Sequence, residues 1–493
     1  MRIVSRSWSS CVLVFTLSCA GADSHRKTLP SRPSVPTATH TFEVRTPYAA
    51  TVFVALTALA RVPKWFSRAK TWSPWFDDWV QRPPTWLKEY RAAYTRLRRS
   101  PYYTHTIGRG FEAQLYCSYD DRSIPELIEC LQRLATLSDA QAIKVAVENV
   151  DRRMRPQWVK HKGRLDAFAR SMQTVLDSPG SAELMSQLRW FYDLEPSKHL
   201  DLILVLALIP PHGPKYKGGG NQFDAFMTLG VNLDQTPSKH AQTFFHELAH
   251  LAHRHTRYEE SFDLGLAAGG TAGSIARSYA DEAIASAFGQ GLAAERLEPE
   301  FDPAKAVFYH HPAIDRIGRG LYQYWRDDRS IRYGNAFGQQ LARITLQSYP
   351  PTAWTFADYL SRCVLLHTHD QVITILRSTL RPRVSVFKRW VLTVETIPDS
   401  YAYHLYKSEL ILVILPESEM AKRPKMLEQF GTTKSAMHAF LSKHKGGYFW
   451  NPDTGKWPLL LITGRDANQM LRSTQSLFSR ARKIKPIPGW HAI

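Results

Sequence analysis

Apolar residues recur at helical spacing through most of the sequence between residues 41 and 200. Segments such as SIPELIECLQRLATL (123–137) and RLDAFARSMQTVLDS (164–178) place an apolar residue at every third or fourth position, which is the spacing of one buried helix face. The apolar run AATVFVALTALA (49–60) is too short to span a membrane and fits a buried helix better. The region is therefore predicted to be mainly helical.

Two apolar runs of a different kind follow. LDLILVLALIP (200–210) and FDAFMTLGVNL (223–233) are both typical of buried strands. The second run is either an ordinary core strand or the edge of a sheet, and a sheet edge could pair with an extended substrate. The segment PHGPKYKGGGNQ (211–222) between them is predicted to be a loop, either a plain connection or a flexible lip over a cleft.

A helix start signal comes next. Thr236 and Pro237 suit the N-cap and the first position of a helix that runs to about residue 255. Residues 256–273, which contain AAGGTAG, form a predicted break. Helical spacing resumes over 274–293, and mostly helical sequence continues to about residue 380.

The C-terminal part, from about residue 384, alternates strand-like and helical segments. ELILVILP (409–416) and KWPLLLIT (456–463) are apolar runs typical of buried strands, and each is followed by helical spacing. Residues 384–493 are therefore predicted to form a small accessory α/β domain. Together with the mostly helical residues 41–380 and their small sheet, the predicted fold class is α+β.

The N-terminus has the order of features found in a secretory signal peptide. Basic residues precede the apolar run CVLVFTL, and the small residues AGA follow it, so residues 1–22 are predicted to be a cleaved signal for export. Because TLSC ends at Cys19, a bacterial lipoprotein signal that anchors the chain at Cys19 is the alternative. Residues 23–40 are rich in Pro, Ser and Thr, which predicts a linker.

Composition and charge bound the class of protein. With 493 residues, of which 44% are hydrophobic and 22% charged, the chain can form two globular domains and is not typical of a disordered or integral membrane protein. The net charge of +19 favours an anionic partner such as envelope lipid or wall polymer, but no nucleic-acid-binding motif accompanies it. Cys117 and Cys130 could form a disulfide in an oxidising compartment or remain buried thiols.

The segment TFFHELAHLAHRH (243–255) carries the main candidate chemistry. On a helix, His246 and His250 lie one turn apart on the same face, so their imidazole nitrogens can bind one zinc ion. Glu247 lies next to the first histidine and could act as general base toward a water held by that metal. The pattern predicts a metal site with Glu247 as its catalytic residue.

The same segment contains two further histidines. His253 lies on the same helix face but about 10 Å along the axis from His246, which is too far for both to bind one ion. It is predicted to pack beside the site or to support a ligand. His255 and Arg254 are assigned to the exposed helix end, where positive charge interacts favourably with the helix dipole.

A third ligand has to come from another segment. Glu282 lies within YADEAIASA, in the middle of the second predicted helix, where small residues would let two helices approach closely. A buried carboxylate there needs a partner such as a metal ion. Asp281 would point elsewhere if Glu282 faces inward, and the pair Glu259 and Glu260 lies in a segment typical of a solvated turn. Glu282 is therefore the predicted third ligand.

His246, Glu247, His250 and a glutamate on a following helix resemble the gluzincin-type zinc metallopeptidases. The resemblance covers about residues 200–292, and the wider layout is loosely similar to uncharacterised exported bacterial families of metallopeptidase-like domains. It implies a zincin-like domain, Zn²⁺ held by the two histidines and Glu282, and hydrolysis of a peptide or protein substrate.

The sequence departs from this family at one position. Thermolysin-like members have an aspartate four residues after the third ligand, where it supports the first histidine, and here that position is Ser286. Another partner is therefore expected for His246, with Asp281 or a backbone carbonyl as candidates.

Peptide hydrolysis also needs a group that stabilises the oxyanion. The candidates are Tyr279, Tyr309, His310 and His311, and each could equally be a core aromatic or a loop histidine. The segment HTHD (367–370) is predicted to be structural. The alternative function is an envelope or anionic-polymer binding protein in which the zinc is structural or the site inactive.

Overall fold

A computed structural model describes most of the chain after residue 41. The described residues are 42–62, 69–97, 117, 121–133, 135–194, 202–211, 219–223, 226–355, 358, 362–367, 371–372, 375, 385–391, 410–429, 431–451, 459–480 and 487–492. The predicted signal peptide, with Cys19, and the predicted linker lie outside them. The described residues are mostly helical and include two small sheets, in agreement with the α+β class.

The first part of the described chain is helical, as its spacing predicts, apart from one short strand. Its elements are β1 (Phe42–Arg45), α1 (Tyr48–Leu59), a 3₁₀ turn (Ala69–Trp72), α2 (Ser73–Gln81), α3 (Thr85–Leu97), α4 (Ile124–Arg133), α5 (Leu137–Leu176) and α6 (Pro179–Tyr192). Every residue of α1 from Ala49 to Leu59 is buried, as expected for a core helix. Among the described helices, none combines the length and the apolar character needed to cross a membrane.

The first sheet has the strand order β1-β2-β4-β3, with β2 at Leu202–Leu208, β3 at Gly219–Phe223 and β4 at Phe226–Val231. Strands β1, β2 and β4 are parallel, whereas β3 is antiparallel to β4. Of the two alternatives for residues 223–233, the core strand is therefore confirmed and the sheet edge is wrong, since β4 pairs on both sides. The edge strand is β3, part of the predicted loop, whose glycine-rich sequence has no apolar alternation to signal a strand.

Strand β2 is continuously apolar because both of its faces are buried. Leu204 and Leu206 belong to the larger core, which includes the helices described next. Val205 and Ala207, on the opposite face, belong to the core formed with α1 and the first half of α5. A strand covered on both faces loses the alternation of apolar and polar residues.

The middle of the chain is a series of helices. They are α7 (Pro237–His253), α8 (Glu259–Ala268), α9 (Gly270–Ser286), a π-helical turn (Ala287–Ala293), α10 (Ala294–Leu297), α11 (Pro312–Asp327) and α12 (Asn335–Ser348). The predicted break at 256–273 is wrong for most of its length, because α8 occupies it. Gly265 of α8 leaves room for the backbone of α12, since a Cβ atom there would lie 2.0 Å from the carbonyl oxygen of Asn335.

The second sheet has six strands in the order β10-β8-β9-β7-β5-β6. Its elements are β5 (Arg362–His367), β6 (Ser385–Val391), β7 (Leu410–Ile414), α13 (Glu417–Met420), α14 (Pro424–Gln429), α15 (Lys434–Lys443), β8 (Gly446–Asn451), β9 (Leu459–Gly464), α16 (Ala467–Arg480) and β10 (Gly489–Ala492). The two predicted strands, β7 and β9, are confirmed. Strand β5 lies before residue 384 in sequence predicted to be mostly helical, so this sheet begins earlier than expected. The division into two domains stays a prediction.

The predicted cysteine pair forms a disulfide. Cys117 and Cys130 are joined across a sequence separation of 13 residues, and Cys117 is buried in the core that contains α1. Of the two alternatives, the disulfide is therefore the one present. In the segment HTHD, His367 is buried at the end of β5, and residues 368–370 lie outside the described part.

Candidate metal centre

Helix α7 presents the two motif histidines to one point. Its start is as predicted, with Pro237 in the first turn and the hydroxyl of Thr236 accepting a hydrogen bond from the backbone amide of Lys239 at 3.4 Å. His246 and His250 follow one helical turn apart, and their Nε2 atoms are 3.3 Å from each other. Both side chains are largely buried, with 11% and 12% of their surface exposed.

Helix α9 supplies the third predicted ligand. Oε2 of Glu282 lies 3.5 Å from Nε2 of His246 and 3.9 Å from Nε2 of His250. One donor atom from each of the three side chains lies within 4.8 Å of the other two. The alanine-rich helix α9 is mostly buried and packs directly against α7, as its small residues predict.

These three donors are spaced closely enough to share one metal ion. Two ligand atoms at about 2.0–2.1 Å from a tetrahedral ion are about 3.3–3.4 Å apart, and the distances here are 3.3, 3.5 and 3.9 Å. Oε2 of Glu282 is buried and has no hydrogen-bond partner in the described part of the chain, which is costly for a carboxylate oxygen. A cation would satisfy it, so His246, His250 and Glu282 can hold a metal ion.

The surrounding carboxylates favour positive charge at this point. Burial lowers the pKa of His250, but the charge of Asp281 and its hydrogen bond, followed by the charges of Glu282 and Glu247, raise it to about 10. Burial raises the pKa of Glu282, but the neighbouring His246 and His250 lower it to about 2. A proton or a metal ion can supply the positive charge that this arrangement favours.

Glu247 lies on α7 beside the first histidine and is half-buried. None of the hydrogen bonds within the described residues involves its carboxylate. Burial raises the pKa of Glu247 above its usual value, the charges of His246 and His250 lower it, and those of Glu282 and Asp281 raise it again. A carboxylate with a raised pKa takes up a proton more readily, which is what a general base must do.

Each histidine has a different partner on the far side of its ring. Nδ1 of His246 lies 3.1 Å from Oε1 of Gln290, and Nδ1 of His250 lies 2.9 Å from Oδ1 of Asp281. Asp281 was expected either to face away or to support the first histidine, and it supports the second instead. Ser286 is fully buried, and its hydroxyl has no hydrogen-bond partner among the described residues, so it does not replace the family's aspartate.

His253 supports the site and is not one of the three donors, as helix geometry predicts. Its Nδ1 lies 3.1 Å from the same Oδ1 of Asp281 that contacts His250. Its Nε2 lies 2.9 Å from the hydroxyl of Tyr333 and 3.5 Å from Oε2 of Glu259. Asp281 therefore joins a proposed ligand to a second, outer histidine.

The remaining rivals do not contribute a donor atom. Arg254 and His255 are exposed at the end of α7, as expected. Glu259 and Glu260, which were predicted to lie in a solvated turn, begin helix α8 instead. Within the described residues, the group of His246, His250 and Glu282 is the one set of three metal-binding side chains that converge.

One oxyanion candidate lies against a proposed ligand. The ring of Tyr309 stacks on the ring of His246, with centroids 6.2 Å apart and planes 13° from parallel. His310 stacks in turn on Tyr309, with centroids 4.4 Å apart, and is exposed. The loop between α10 and α11 thus brings Tyr309 to the metal centre.

The other two oxyanion candidates belong to a separate aromatic contact. Tyr279 is buried, and its hydroxyl donates a hydrogen bond to the buried carboxylate of Asp358. His311 stacks on Tyr279, with ring centroids 5.3 Å apart. The same aspartate accepts a hydrogen bond from the hydroxyl of Tyr349 at 3.2 Å. These contacts connect α9 with the segment after α12.

Two supporting residues were missed from the sequence. Gln290 lies in AFGQGLA, where two glycines weaken the helical prediction, and Tyr333 comes from the loop before α12. The glycines that flank Gln290 were the available signal, because a glycine inside a helical stretch often has a packing reason. Tyr333 offered no signal of its own.

The candidate centre combines side chains from α7, α9 and the π-helical turn. It consists of three converging donors, an adjacent carboxylate and an oriented hydrogen-bond partner for each histidine. In comparisons with protein-family models, curated proteins and solved structures, the chain has no match.

Proposed function

We propose that this chain is a gluzincin-like zinc peptidase, with a zincin-like domain that hydrolyses peptide bonds. The observation that carries the proposal is the convergence of His246, His250 and Glu282 within 4.8 Å, next to a half-buried glutamate. When bound, zinc would lower the pKa of a water molecule and polarise the substrate carbonyl. A donor set of two histidines and a glutamate is typical of catalytic zinc sites that leave one coordination position open.

Glu247 is the proposed general base. Its position on α7 directly after His246, half-buried, suits a carboxylate that takes a proton from the attacking water and passes that proton to the leaving amine. Glu282 is engaged with the histidines, which hold its pKa low. The two glutamates therefore have different tasks, with Glu282 holding charge and Glu247 moving a proton.

The sheet edge supports an extended peptide as substrate. In the described part of the first sheet, β3 pairs only with β4, so the backbone groups on its outer side face away from the sheet. Helix α7 packs against both β3 and β4. A peptide that adds to β3 as a further strand would gain backbone hydrogen bonds that do not depend on its side chains.

Tyr309 is the proposed oxyanion-stabilising residue. Its ring stacks on His246, which places it beside the metal centre, whereas Tyr279 stacks on His311 in a separate contact. A tyrosine hydroxyl can donate a hydrogen bond to the oxygen on which charge develops. We also propose export of the protein, because of its N-terminal sequence and its disulfide.

The test separates metal binding from catalysis in one set of variants. Glu282→Gln is expected to lose the one equivalent of zinc that purified wild type binds. Glu247→Gln is expected to keep that zinc and to cleave an unfolded protein substrate about 10²–10⁴-fold more slowly. Glu260→Gln, an exposed carboxylate on α8, is the matched control and should behave like wild type in both measurements.

The rival function gives a different set of results. A chain with net charge +19 could bind an anionic envelope polymer while its zinc is structural or its site inactive. The rival would be supported, and the peptidase rejected, if wild type binds zinc but cleaves no substrate. Wild type should then also bind anionic vesicles in a salt-sensitive way.

A further inference from the structure

The helical segment that carries Glu282 extends beyond the end of α9. It continues without a break into the π-helical turn Ala287–Ala293, which carries Gln290 at its centre. π-helical turns are rare and frequently occur at functional sites, because the extra residue changes the direction of the side chains that follow. One continuous helical segment therefore carries both a proposed metal ligand and the residue that contacts His246.

The contact between Gln290 and His246 has a defined polarity. Oε1 of Gln290 lies 3.1 Å from Nδ1 of His246, while Nε2 of the same ring faces Nε2 of His250 at 3.3 Å. An amide oxygen can only accept, so Nδ1 carries the hydrogen and donates it. The lone pair of the ring is then on Nε2, on the side of Glu282, which is the tautomer that a metal ligand needs.

Two glycines let the π-helical turn pack closely against its neighbours. A Cβ atom on Gly289 would lie 2.7 Å from Cβ of His246 and 2.5 Å from the carbonyl oxygen of Gln242. A Cβ atom on Gly291 would lie 2.7 Å from the ring of Tyr322, on α11. The turn thus lies in direct contact with α7 on one side and α11 on the other, which fixes the backbone on both sides of Gln290.

The two proposed histidine ligands differ in the charge of their partners. His250 donates to the carboxylate of Asp281, whereas His246 donates to a neutral amide. A charged acceptor strengthens a hydrogen bond and increases the electron donation of the ring more than a neutral one does. The amide at residue 290 therefore orients His246 without adding a further negative charge to a site that already has Glu247, Asp281 and Glu282.

We propose that Gln290 is a positioning residue that fixes the metal-binding tautomer of His246 and sets the affinity of the site for zinc. The inference rests on the proposed zinc site and adds to it the residue in place of the family's aspartate. A purely packing role for Gln290 would depend on the size of its side chain. A positioning role depends on the acceptor and its charge.

The test is a competition titration of Zn²⁺ against a chelator, made on the full chain. Gln290→Leu keeps the size but removes the acceptor, and its zinc affinity is expected to fall about 10–100-fold. Gln290→Glu keeps an acceptor and adds charge, and it is expected to bind zinc more tightly than wild type. Ser286→Ala, at the position where the family has its aspartate, is the control and should bind zinc like wild type.

A spectroscopic readout accompanies the titration. With Co²⁺ in place of zinc, the visible absorption bands of Gln290→Leu and Gln290→Glu should both differ from wild type, whereas those of Ser286→Ala should not. If Gln290→Leu does not fold, Gln290→Glu decides, because tighter binding supports the proposal and unchanged or weaker binding overturns it.

The outcomes distinguish this inference from the proposed function. Wild type that binds no zinc overturns both. Wild type that binds zinc through His246, together with Gln290 variants of unchanged affinity and unchanged Co²⁺ spectrum, overturns only the role of Gln290 and leaves the zinc site intact.

Discussion

Oδ1 of Asp281 lies 2.9 Å from Nδ1 of His250, so a carboxylate from α9 orients the second proposed ligand on α7. Burial raises the pKa of Asp281, but His250 and His253 hold it well below its usual range. The aspartate is therefore charged at all ordinary pH values. It connects the two helices that form the site.

Asp281→Ala is expected to weaken zinc binding about 10–100-fold, because His250 loses the acceptor that fixes its tautomer. A chelator competition titration measures the change. Glu129→Gln, which removes an exposed carboxylate on α4 that pairs with Arg133, is the control and should leave the affinity unchanged. Equal affinities of Asp281→Ala and wild type would show that this hydrogen bond does not contribute to the site.

Gly289→Ala is expected to lower the free energy of unfolding by about 1–3 kcal/mol, because its methyl group would collide with the backbone of α7. It should also weaken zinc binding, since His246 is one of the groups displaced. The matched control is Gly163→Ala on α5, where no atom lies within 4 Å of the added Cβ. There the free energy of unfolding should rise by about 0.5–1 kcal/mol. Urea unfolding measures both, and a Gly289→Ala variant as stable as the control would refute the close contact.

His240 is expected to make the protein less stable in mild acid. It is buried on α7, with Nε2 3.3 Å from the carbonyl oxygen of Asn232, and burial lowers its pKa to about 4. An unfolded histidine has a pKa of about 6.5. Between these two values only the unfolded chain takes up the proton, so stability falls as the pH drops.

For this one group, the free energy of unfolding should decrease by about 2 kcal/mol between pH 7 and pH 5. Urea unfolding of wild type and His240→Gln at both pH values measures it, because the glutamine variant lacks this contribution. Identical pH dependence of the two proteins would contradict the lowered pKa.

The disulfide between Cys117 and Cys130 is expected to stabilise the fold by about 2–4 kcal/mol, mainly by restricting the unfolded chain. The change is Cys117→Ser together with Cys130→Ser, and urea unfolding measures the loss. Wild type treated with a reductant should unfold like the double variant, and the double variant should not respond to the reductant. Equal stability of oxidised and reduced wild type would contradict the prediction.

Local sequence was enough to predict the motif helix and the convergence of its first two histidines. Thr236 and Pro237 mark the start of α7, and the spacing of His246 and His250 follows from the helical repeat alone. The same geometry removed His253 from the ligand set, and the structure places it behind Asp281. These features depend on residues within one helix, so a short window of sequence contains them.

Glu282 could be predicted because its own helix carries the signal. A carboxylate among alanines on an amphipathic helix has few reasons to be buried apart from a partner, and it converges with the histidines. The strand β3 could not be predicted, because its five residues GGNQF have no apolar alternation and gain their structure by pairing with β4. Helix α8 occupies a predicted break, since Gly265 and Gly269, the residue that follows the helix, serve close packing against α12 rather than a turn.

The sequence by itself determined which residues are proposed for the site, namely His246, Glu247, His250 and Glu282, because periodicity and residue type are local properties. Only the tertiary structure decided which side chains support the two histidines by hydrogen bonds. Gln290 supports the first histidine and Asp281 the second, where the sequence offered Asp281 for the first. The physical reason is that the crossing of two helices and the direction of a π-helical turn decide which side chains can form these hydrogen bonds. Neither can be predicted from the residue spacing of a single segment.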